Sequence, residues 1–178
     1  MIEDLSHRLV EKVPASEIDA DILALPYSIE GLISFNFWQE GFYWVCHKDQ
    51  CPKKVQGITS EALEIDKLML LKEGHFLKGH AIAAYRLQPS HKKQDTDVDS
   101  ASPHTLIQMV AGKLGTTLLP QIALEPLTLN ESELRAIHVN EPGPHRTIVL
   151  IIRLNYVRTN ELTLLKDIFT KQLTNKYS

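Results

Sequence analysis

Two cysteines five positions apart, Cys46 and Cys51, are the residues whose types and spacing could most directly do chemistry. In the segment CHKDQC they enclose His47 and Asp49, so thiolate, imidazole and carboxylate groups that can bind zinc stand close together. The same pair could work as a redox-active dithiol. The sequence favours a plainer interpretation, in which Cys46 ends an aromatic strand and packs as a small hydrophobic residue. Cys51 then lies in the loop before Pro52, and we predict no metal site and no redox role.

Hydroxyl side chains precede the helix of HTLIQMVAGKLGTTLLP, residues 104–120. Ser102 and Thr105 open this helix, whose first backbone N–H groups have no partner within the helix itself. Such a helix end can bind an anion or a polar ligand. The two hydroxyl groups can equally well cap the helix by accepting hydrogen bonds from those N–H groups. Both interpretations stay open from the sequence.

Residue patterns that are typical of enzymes do not occur in the sequence. It contains no Ser-His-Asp order, no glycine-rich phosphate loop and no paired carboxylates. Glu73 and Glu125 are charges in loops or at helix ends, without an evident partner. The sequence therefore predicts a protein that is not an enzyme and that uses no cofactor.

Helices and strands alternate along the chain, and they must position these candidate residues. Apolar residues recur at helical spacing in residues 5–13, 76–87 and 104–111 and in the last twenty residues, and Pro120 can start a further short helix. The predicted strands are DADILAL (19–25), FYWVC (42–46), KLMLL (67–71), TTLL (116–119), LRAIHV (134–139) and RTIVLIIRL (146–154). The polar stretch PSHKKQDTDVDSASP (89–103) is interpreted as a loop around a marginal strand. The alternation predicts an α/β fold with a largely parallel sheet.

Composition and charge exclude several classes of protein. The 178 residues are 43% hydrophobic and 23% charged, which suits one globular domain or two small lobes. Because its formal net charge is −3, we expect that this chain alone does not bind DNA. The start MIEDLSHRLVEK resembles no secretion signal, and no apolar run reaches the length of a membrane helix. We therefore expect a cytoplasmic protein without a membrane partner.

Several segments together resemble the effector-binding domain of LysR-type transcriptional regulators. They are EIDADILALP, FWQEGFYWVCHKDQCP, TLIQMVAGKLGTTLLPQIAL and PHRTIVLIIRLNYVRTNELTLLKDIF. A further segment, LMLLKEGHFLKGHAIAAY, is similar to the OxyR-like, peroxide-responsive branch. The resemblance covers nearly the whole chain and implies two Rossmann-like lobes of the type 2 periplasmic-binding-protein kind, with an effector cleft between them. Lobe I would comprise about 1–36 and 134–178, and lobe II about 37–133.

The resemblance also implies positions for an effector site. Ser6 stands where the family has a hydroxyl residue, Gly74, His75 and Phe76 occupy the sensing loop, and Ser102 with Thr105 opens the helix described above. The peroxide-responsive branch has its reactive cysteine at the position of Phe76 and its partner at Tyr85. Neither side chain can form a sulfenic acid or a disulfide, so we expect no peroxide switch at these positions.

The match to the family begins after the helix-turn-helix and after the first strand, the first helix and the second strand of lobe I, so this lobe would be incomplete. Without the first strand, residues 20–25 would form an exposed edge strand, and we expect the chain to self-associate as a homodimer or a larger oligomer. Either this edge pairs across a dimer, or the segment before Asp19 folds over to cover it. Three functions remain open at this point. The chain is a ligand-sensing regulatory domain, an interaction module that pairs with related chains, or, least favoured, an enzyme on a Rossmann-like frame.

Overall fold

A computed structural model describes residues 2–53, 55–71, 97–98, 102–128, 131–140 and 146–177. Its helices are α1 (Ser6–Lys12), α2 (Pro103–Ala111), α3 (Gln121–Thr128) and α4 (Thr159–Tyr177). Its strands are β1 (Ala20–Leu25), β2 (Leu32–Glu40), β3 (Phe42–His47), β4 (Gly57–Ile58), β5 (Leu70–Leu71), β6 (Asp97–Val98), β7 (Thr117–Pro120), β8 (Leu134–Val139) and β9 (Arg146–Arg153). Two short 3-10 helices, Ser60–Ala62 and Ile65–Lys67, follow β4. Among the helices so described, none is both long enough and apolar enough to cross a membrane.

The chain divides into two compact units. Unit 1 comprises Met1–Gln39 and Arg146–Ser178, and unit 2 comprises Glu40–His145. In unit 1, β9 lies between β1 and β2, and β1 pairs with it in antiparallel register, Leu23 opposite Val149. Val149 and Ile151 point to one face of this sheet, where they pack with Leu23 and with Val13 at the end of α1. The other face is covered partly by α4, which buries Leu162 against β9.

Unit 2 is built around β3, which is buried on both faces. Its sheet has the strand order β4-β8-β3-β7, and β3 pairs antiparallel with both β7 and β8. Because side chains alternate along a strand, Phe42, Trp44 and Cys46 enter one core cluster and Val45 enters the other. The second cluster receives the apolar face of α2, formed by Leu106, Ile107 and Val110. Burying each of these side chains contributes about 1.5–3 kcal/mol.

A helix–strand corner joins α2 to β7, as the sequence predicts. The helix ends at Gly112, Lys113 takes a positive φ of 65°, and the chain then runs into β7. Thr116 donates its N–H to the carbonyl of Lys67 (2.8 Å), and its carbonyl accepts a hydrogen bond from the N–H of Met69 (2.7 Å). The segment 67–69 is therefore bonded to the start of β7. The hydroxyl of Thr117 adds a bond to the Met69 carbonyl (2.9 Å). These bonds to Lys67 and Met69, together with the pairing of β7 with β3, hold the corner in place.

Three expectations need correction. The sheets are not largely parallel, since the described strand pairs β1–β9, β3–β7 and β3–β8 are antiparallel, whereas β4–β8 and β5–β6 are parallel. Alternation along the chain fixes the direction only of strands that one crossover joins, and these partners lie far apart in sequence. The strand β8, assigned to the first lobe from sequence, pairs with β3 and belongs to unit 2. The nine-residue strand β2 was not predicted at all.

Other predicted elements agree or fall outside the described part. The closing helix, α1, β1, β3 and β9 occur within one or two residues of their predicted bounds. The strand predicted at 67–71 is reduced to a bridge at Leu68 and the two residues of β5. A marginal strand in the polar stretch is present as β6. The helix predicted over 76–87 lies outside the described residues.

Candidate functional site

The N-terminus of α2 shows how the two candidate hydroxyl groups are used. Ser102 takes an extended conformation before the helix, and its Oγ accepts a hydrogen bond from the backbone N–H of Thr105 (3.1 Å). The Oγ1 of Thr105 lies 3.1 Å from the same Oγ. Pro103 occupies the first turn, where a missing N–H costs nothing. Both side chains are exposed, so the cap is formed and its oxygens still face solvent.

This geometry supports the capping interpretation without removing the ligand-binding one. An N-cap of this kind stabilises a helix by about 1 kcal/mol. The capping bond occupies the N–H of Thr105, and the bond between the two hydroxyl groups uses one of their protons, which leaves the other proton able to turn outward. An anion at this helix end would meet the positive end of the helix dipole.

The other predicted effector residues are not brought to this cap by any described contact. Ser6 is the first residue of α1 in unit 1 and is half-buried, and α1 has no side-chain cap. The remaining positions of the sensing loop, Gly74, His75 and Phe76, lie outside the described residues, as does Tyr85. Their roles stay predictions.

The two cysteines are joined, which the sequence interpretation did not predict. Cys46 and Cys51 form a disulfide with their Cα atoms 5.9 Å apart, within the usual range for such a bond. Cys46 is fully buried and does pack with the apolar cluster around Trp44, as predicted, but Cys51 is buried with it. The signal available in the sequence was a short separation across a turn that ends at Pro52. No group of potential metal ligands is found among the described residues.

The segment closed by this disulfide carries a small charged network. Asp49 accepts a hydrogen bond from the ammonium group of Lys113 (2.5 Å), which holds the pKa of that carboxyl below its ordinary value. The backbone N–H of Asp49 donates to Nδ1 of His47 (3.1 Å), whose side chain is buried. Gln50 donates its side-chain N–H to the carbonyl of Lys113 (3.2 Å). The turn after β3 is thus tied to the corner after α2.

Two buried carboxylates were also missed by the sequence analysis. Glu40, at the end of β2, accepts a hydrogen bond from the N–H of Ile122 (2.9 Å) and so caps α3 from a distance. The sequence signal was that Pro120 and Gln121 begin a helix without a capping residue of their own. Asp21, in β1, is buried with one carboxylate oxygen that has no partner in the described part of the chain. Burial raises the pKa of Asp21, while a backbone hydrogen bond at Ile22 opposes that shift.

Comparisons with known proteins agree on one family. The profile of the LysR substrate binding domain matches residues 1–174. The HTH-type transcriptional regulator EstR of Acinetobacter baylyi is 32% identical over 169 residues, which cover 95% of this chain and 55% of that protein. A probable hydrogen peroxide-inducible genes activator of Streptomyces viridosporus is 31% identical over 159 residues, covering 89% of this chain and 51% of that protein. The chain therefore spans about half the length of these curated relatives.

A solved structure supports the same result. The sulfate-bound regulatory domain of an OxyR2 mutant from Vibrio vulnificus superposes with a TM-score of 0.78 and 32% identity. The match covers 95% of this chain and 79% of that one. The resemblance inferred from the sequence, with its likeness to the OxyR branch and its type 2 periplasmic-binding-protein fold, is confirmed.

Proposed function

The chain belongs to the LysR substrate-binding domain family, and from this premise we propose that it senses a small anionic or polar molecule for a transcriptional regulator. The observation that carries the proposal is the exposed hydroxyl pair, Ser102 and Thr105, at the positive end of α2. In this proposal the domain works in the cytoplasm as a homodimer or larger oligomer, and DNA is contacted by a separate helix-turn-helix domain. It performs no catalysis and holds no cofactor.

In this proposal, detection of the effector does not depend on a disulfide in the sensing loop. Phe76 and Tyr85 stand where the peroxide-responsive relatives have their cysteines, and neither residue can be oxidised to a sulfenic acid or joined by a disulfide. Binding energy must therefore come from hydrogen bonds and charge. This favours a ligand that binds reversibly.

Sulfate is a suitable first probe, since it is present in the OxyR2 mutant structure and suits a helix N-terminus. Titration of the 178-residue chain should shift the backbone amide resonances of residues 102–105 saturably. Thr105→Val removes one hydroxyl at nearly constant shape and should weaken binding by ~1 kcal/mol. Thr163→Val is the matched control, since the hydroxyl of Thr163 only bonds to its own helix at Thr159 (3.0 Å).

The comparison between the two variants separates specific binding from a general salt effect, because sulfate stabilises folded proteins without a site. Equal sulfate affinity in Thr105→Val and Thr163→Val would exclude the N-terminus of α2 as the binding site. A wild-type chain whose 102–105 resonances never saturate would do the same.

A second candidate function is that of an interaction module. It is favoured by β1, whose position at the end of the strand order leaves one backbone edge open among the described residues. Ile22 in that strand is a large apolar residue whose side chain is 41% exposed. A second copy could pair with this edge, and the two functions are compatible with each other.

A further inference from the structure

The disulfide between Cys46 and Cys51 has one end fixed in a strand and the other end beside the surface. Cys46 lies in the paired part of β3, opposite Arg135 in β8, and its side chain is fully buried. Cys51 follows the exposed residues 48–50, and its own side chain is 6% exposed. Local opening of this short turn would bring the sulfur of Cys51 to the solvent, whereas Cys46 would stay in its strand.

Hydrogen bonds inside the turn keep the two cysteines close together without the help of their sulfur atoms. The backbone N–H groups of Gln50 and Cys51 both donate to the carbonyl of His47 (2.9 and 3.1 Å). Asp49 donates its N–H to Nδ1 of His47 (3.1 Å). Since none of these bonds involves sulfur, reduction would leave the two thiols as neighbours, and the disulfide could form again.

The outer side of the turn is bonded to the corner between α2 and β7. The carboxylate of Asp49 accepts a hydrogen bond from the ammonium group of Lys113 (2.5 Å), and the side chain of Gln50 donates to the carbonyl of Lys113 (3.2 Å). Lys113 follows the last turn of α2, the helix whose N-terminus carries the hydroxyl pair of the proposed function. One lysine therefore connects the turn closed by the disulfide to the end of that helix.

Reduction requires the two sulfur atoms to move apart. Bonded sulfur atoms lie about 2 Å apart, whereas two thiols that only touch lie roughly 4 Å apart. Cys46 is held by its strand pairing and by the cluster around Trp44, so the turn has to take up most of this difference. The turn has room to move, because Gln50 and Pro52 line an open cavity of about 420 Å³. Such a displacement would lengthen the 3.2 Å contact from Gln50 beyond the range of a hydrogen bond.

The short loop also limits how strongly folding protects this disulfide from reduction. The two cysteines are separated by 5 positions in the sequence. A disulfide removes less entropy from the unfolded chain when its loop is short, so bond and fold stabilise each other less than they do across a long loop. This favours a bond that small thiols can reduce while the rest of the domain stays folded.

We propose that Cys46 and Cys51 form a thiol–disulfide switch, in which the disulfide holds the turn 47–50 against Lys113 and reduction by a small thiol such as glutathione releases it. The small thiolate attacks the sulfur of Cys51 and forms a mixed disulfide, while Cys46 leaves as a thiolate and takes up a proton. A second small thiol displaces Cys51, which takes up a proton in turn. Two small thiols are thereby oxidised to one disulfide, and the protein gains two electrons and two protons.

Equilibration in glutathione buffers tests whether the bond is exchangeable. The 178-residue chain is held at ratios of reduced to oxidised glutathione that span those of the cytosol, and free thiols are then trapped and counted by mass. The chain should pass from oxidised to reduced within this range, keep its circular dichroism spectrum, and return to the oxidised form in oxidised glutathione. A disulfide that survives the most reducing buffer, or one that does not form again, would overturn the proposal.

Titration of side-chain carboxyl groups, followed by ¹³C chemical shifts, tests the release of Lys113. In the oxidised chain the hydrogen bond from Lys113 holds the pKa of Asp49 below its ordinary value. Reduction should move this pKa back toward that value. Asp4 in unit 1 is the internal control, because the backbone N–H of Leu5 is the main cause of its own lowered pKa. An unchanged pKa of Asp49 in the reduced chain, or an equal change at Asp4, would exclude the release.

Two lysine variants show whether the response passes through Lys113. Lys113→Gln removes the ammonium group that Asp49 contacts, so the pKa of Asp49 should no longer respond to reduction. Lys53→Gln is the matched control, since Lys53 is exposed and acts on Asp49 only through its charge, more weakly than Lys113 does. The response should be kept in this variant. A response that persists in Lys113→Gln, or that is lost in Lys53→Gln, would contradict the switch, whatever the outcome of the sulfate experiment at α2.

Discussion

Cys46 and Cys51 show how much depends on single side chains in this domain. Their sulfur atoms are bonded across a turn of six residues, and both are buried beside Trp44. The sequence favoured ordinary packing of Cys46 over a metal site or a redox pair, and it did not predict the bond between the two cysteines. What was not visible was that the turn HKDQ brings the second cysteine back under the end of β3, where Gln50 and Cys51 donate to the carbonyl of His47 (2.9 and 3.1 Å).

The disulfide leads to a direct prediction. The chain purified without reductant should have a mass about 2 Da below that of the reduced chain, since closing the bond removes two hydrogens. Reduction should lower the free energy of unfolding by about 2 kcal/mol, the chain-entropy value for a loop of this length. Thermal unfolding with and without reductant measures this. Cys51→Ala is the control, since its melting temperature should not respond to reductant; free thiols in the unreduced wild type would contradict the prediction.

Asp21 is a further residue whose burial the sequence did not predict. Its carboxylate is buried on the same side of the sheet as Leu23, and burial raises its pKa. The pKa of Tyr27 is raised as well, first by burial and then by the charges of Glu11 and Asp21. Because the folded state binds the Asp21 proton more tightly, folding is favoured at low pH. That advantage is lost as the pH rises from the ordinary aspartate pKa of 3.8 through the higher value in the folded chain.

Asp21→Asn should therefore stabilise the chain at pH 7, by roughly 1 kcal/mol, and have almost no effect well below pH 3.8. Denaturant unfolding across this pH range gives the difference. Asp19→Asn is the matched control, because Asp19 is exposed and pairs with Arg153 only at 3.4 Å. A destabilised Asp21→Asn at neutral pH would mean that the carboxylate has a partner in solution.

At the scale of elements, the sequence predicted best where local pattern and burial agree. The corner of α2 and β7 combines an apolar helical face, glycines and a short β-prone run, and each feature appears where expected. The strand β2 was missed because LISFNFWQE has no continuous apolar run, although the alternation of apolar and polar residues in SFNF is a signal of a half-buried strand. Strand direction and the membership of β8 depend on contacts between remote segments, which no local pattern encodes.

The candidate site was likewise predicted only where a local sequence pattern determines it. The sequence placed Ser102 and Thr105 at a helix start, and the cap is there. It could not predict the cavity that Trp44 and Ile58 help to line in unit 2, because that cavity needs residues from β3, from β4 and from the turns that follow them. The buried indole N–H of Trp44, which has no partner in the described part of the chain, is likewise a consequence of packing that one residue type in one strand does not predict.

The corner allows a prediction about backbone approach. A Cβ at Gly115 would lie 2.6 Å from the carbonyl oxygen of Lys67, so Gly115→Ala must push two backbone segments apart. The bonds that join Thr116 to Lys67 and to Met69 would be strained with it. We expect a loss of roughly 2 kcal/mol in the free energy of unfolding.

Gly112→Ala is the control in the same corner. Its Cβ would meet only ordinary contacts at 3.4 Å, and its φ of −75° suits any residue. The variant should be neutral or slightly stabilising, because alanine has less conformational entropy to lose on folding. Equal losses in both variants, measured by urea unfolding, would show that the close approach to Lys67 does not control stability.

At the scale of the whole molecule, most of the large hydrophobic side chains that are exposed among the described residues lie in unit 1. Large hydrophobic side chains remain exposed along α4 and in the segment before it, at Leu154, Val157, Leu164, Leu165 and Ile168. On the neighbouring sheet, β1 occupies one end of the strand order, and its outer backbone groups have no strand partner among the described residues. Unit 2 instead buries its central strand on both faces. Association should therefore involve unit 1.

The 178-residue chain should accordingly self-associate through β1. Sedimentation velocity should give a sedimentation coefficient that rises with concentration, because an open apolar edge pairs readily with another strand. Ile22→Lys places a charge on that edge at a position already 41% exposed, so it should shift the chain to monomer without unfolding it. Leu114→Lys is the matched control in unit 2, at a side chain that is 68% exposed, and it should associate like the wild type.

Hydrogen exchange locates the contact. In a monomer, the amides of Ile22–Leu25 that face away from β9 should exchange quickly, and association should protect them in a concentration-dependent way. Leu119, whose amide faces Tyr43 in the register of β3 and β7, should be protected at every concentration. A chain that stays monomeric while all amides of Ile22–Leu25 match the protection of Leu119 would show that the edge is closed within one molecule. Association that survives Ile22→Lys, with unprotected β1 amides, would move the interface to the exposed face of α4.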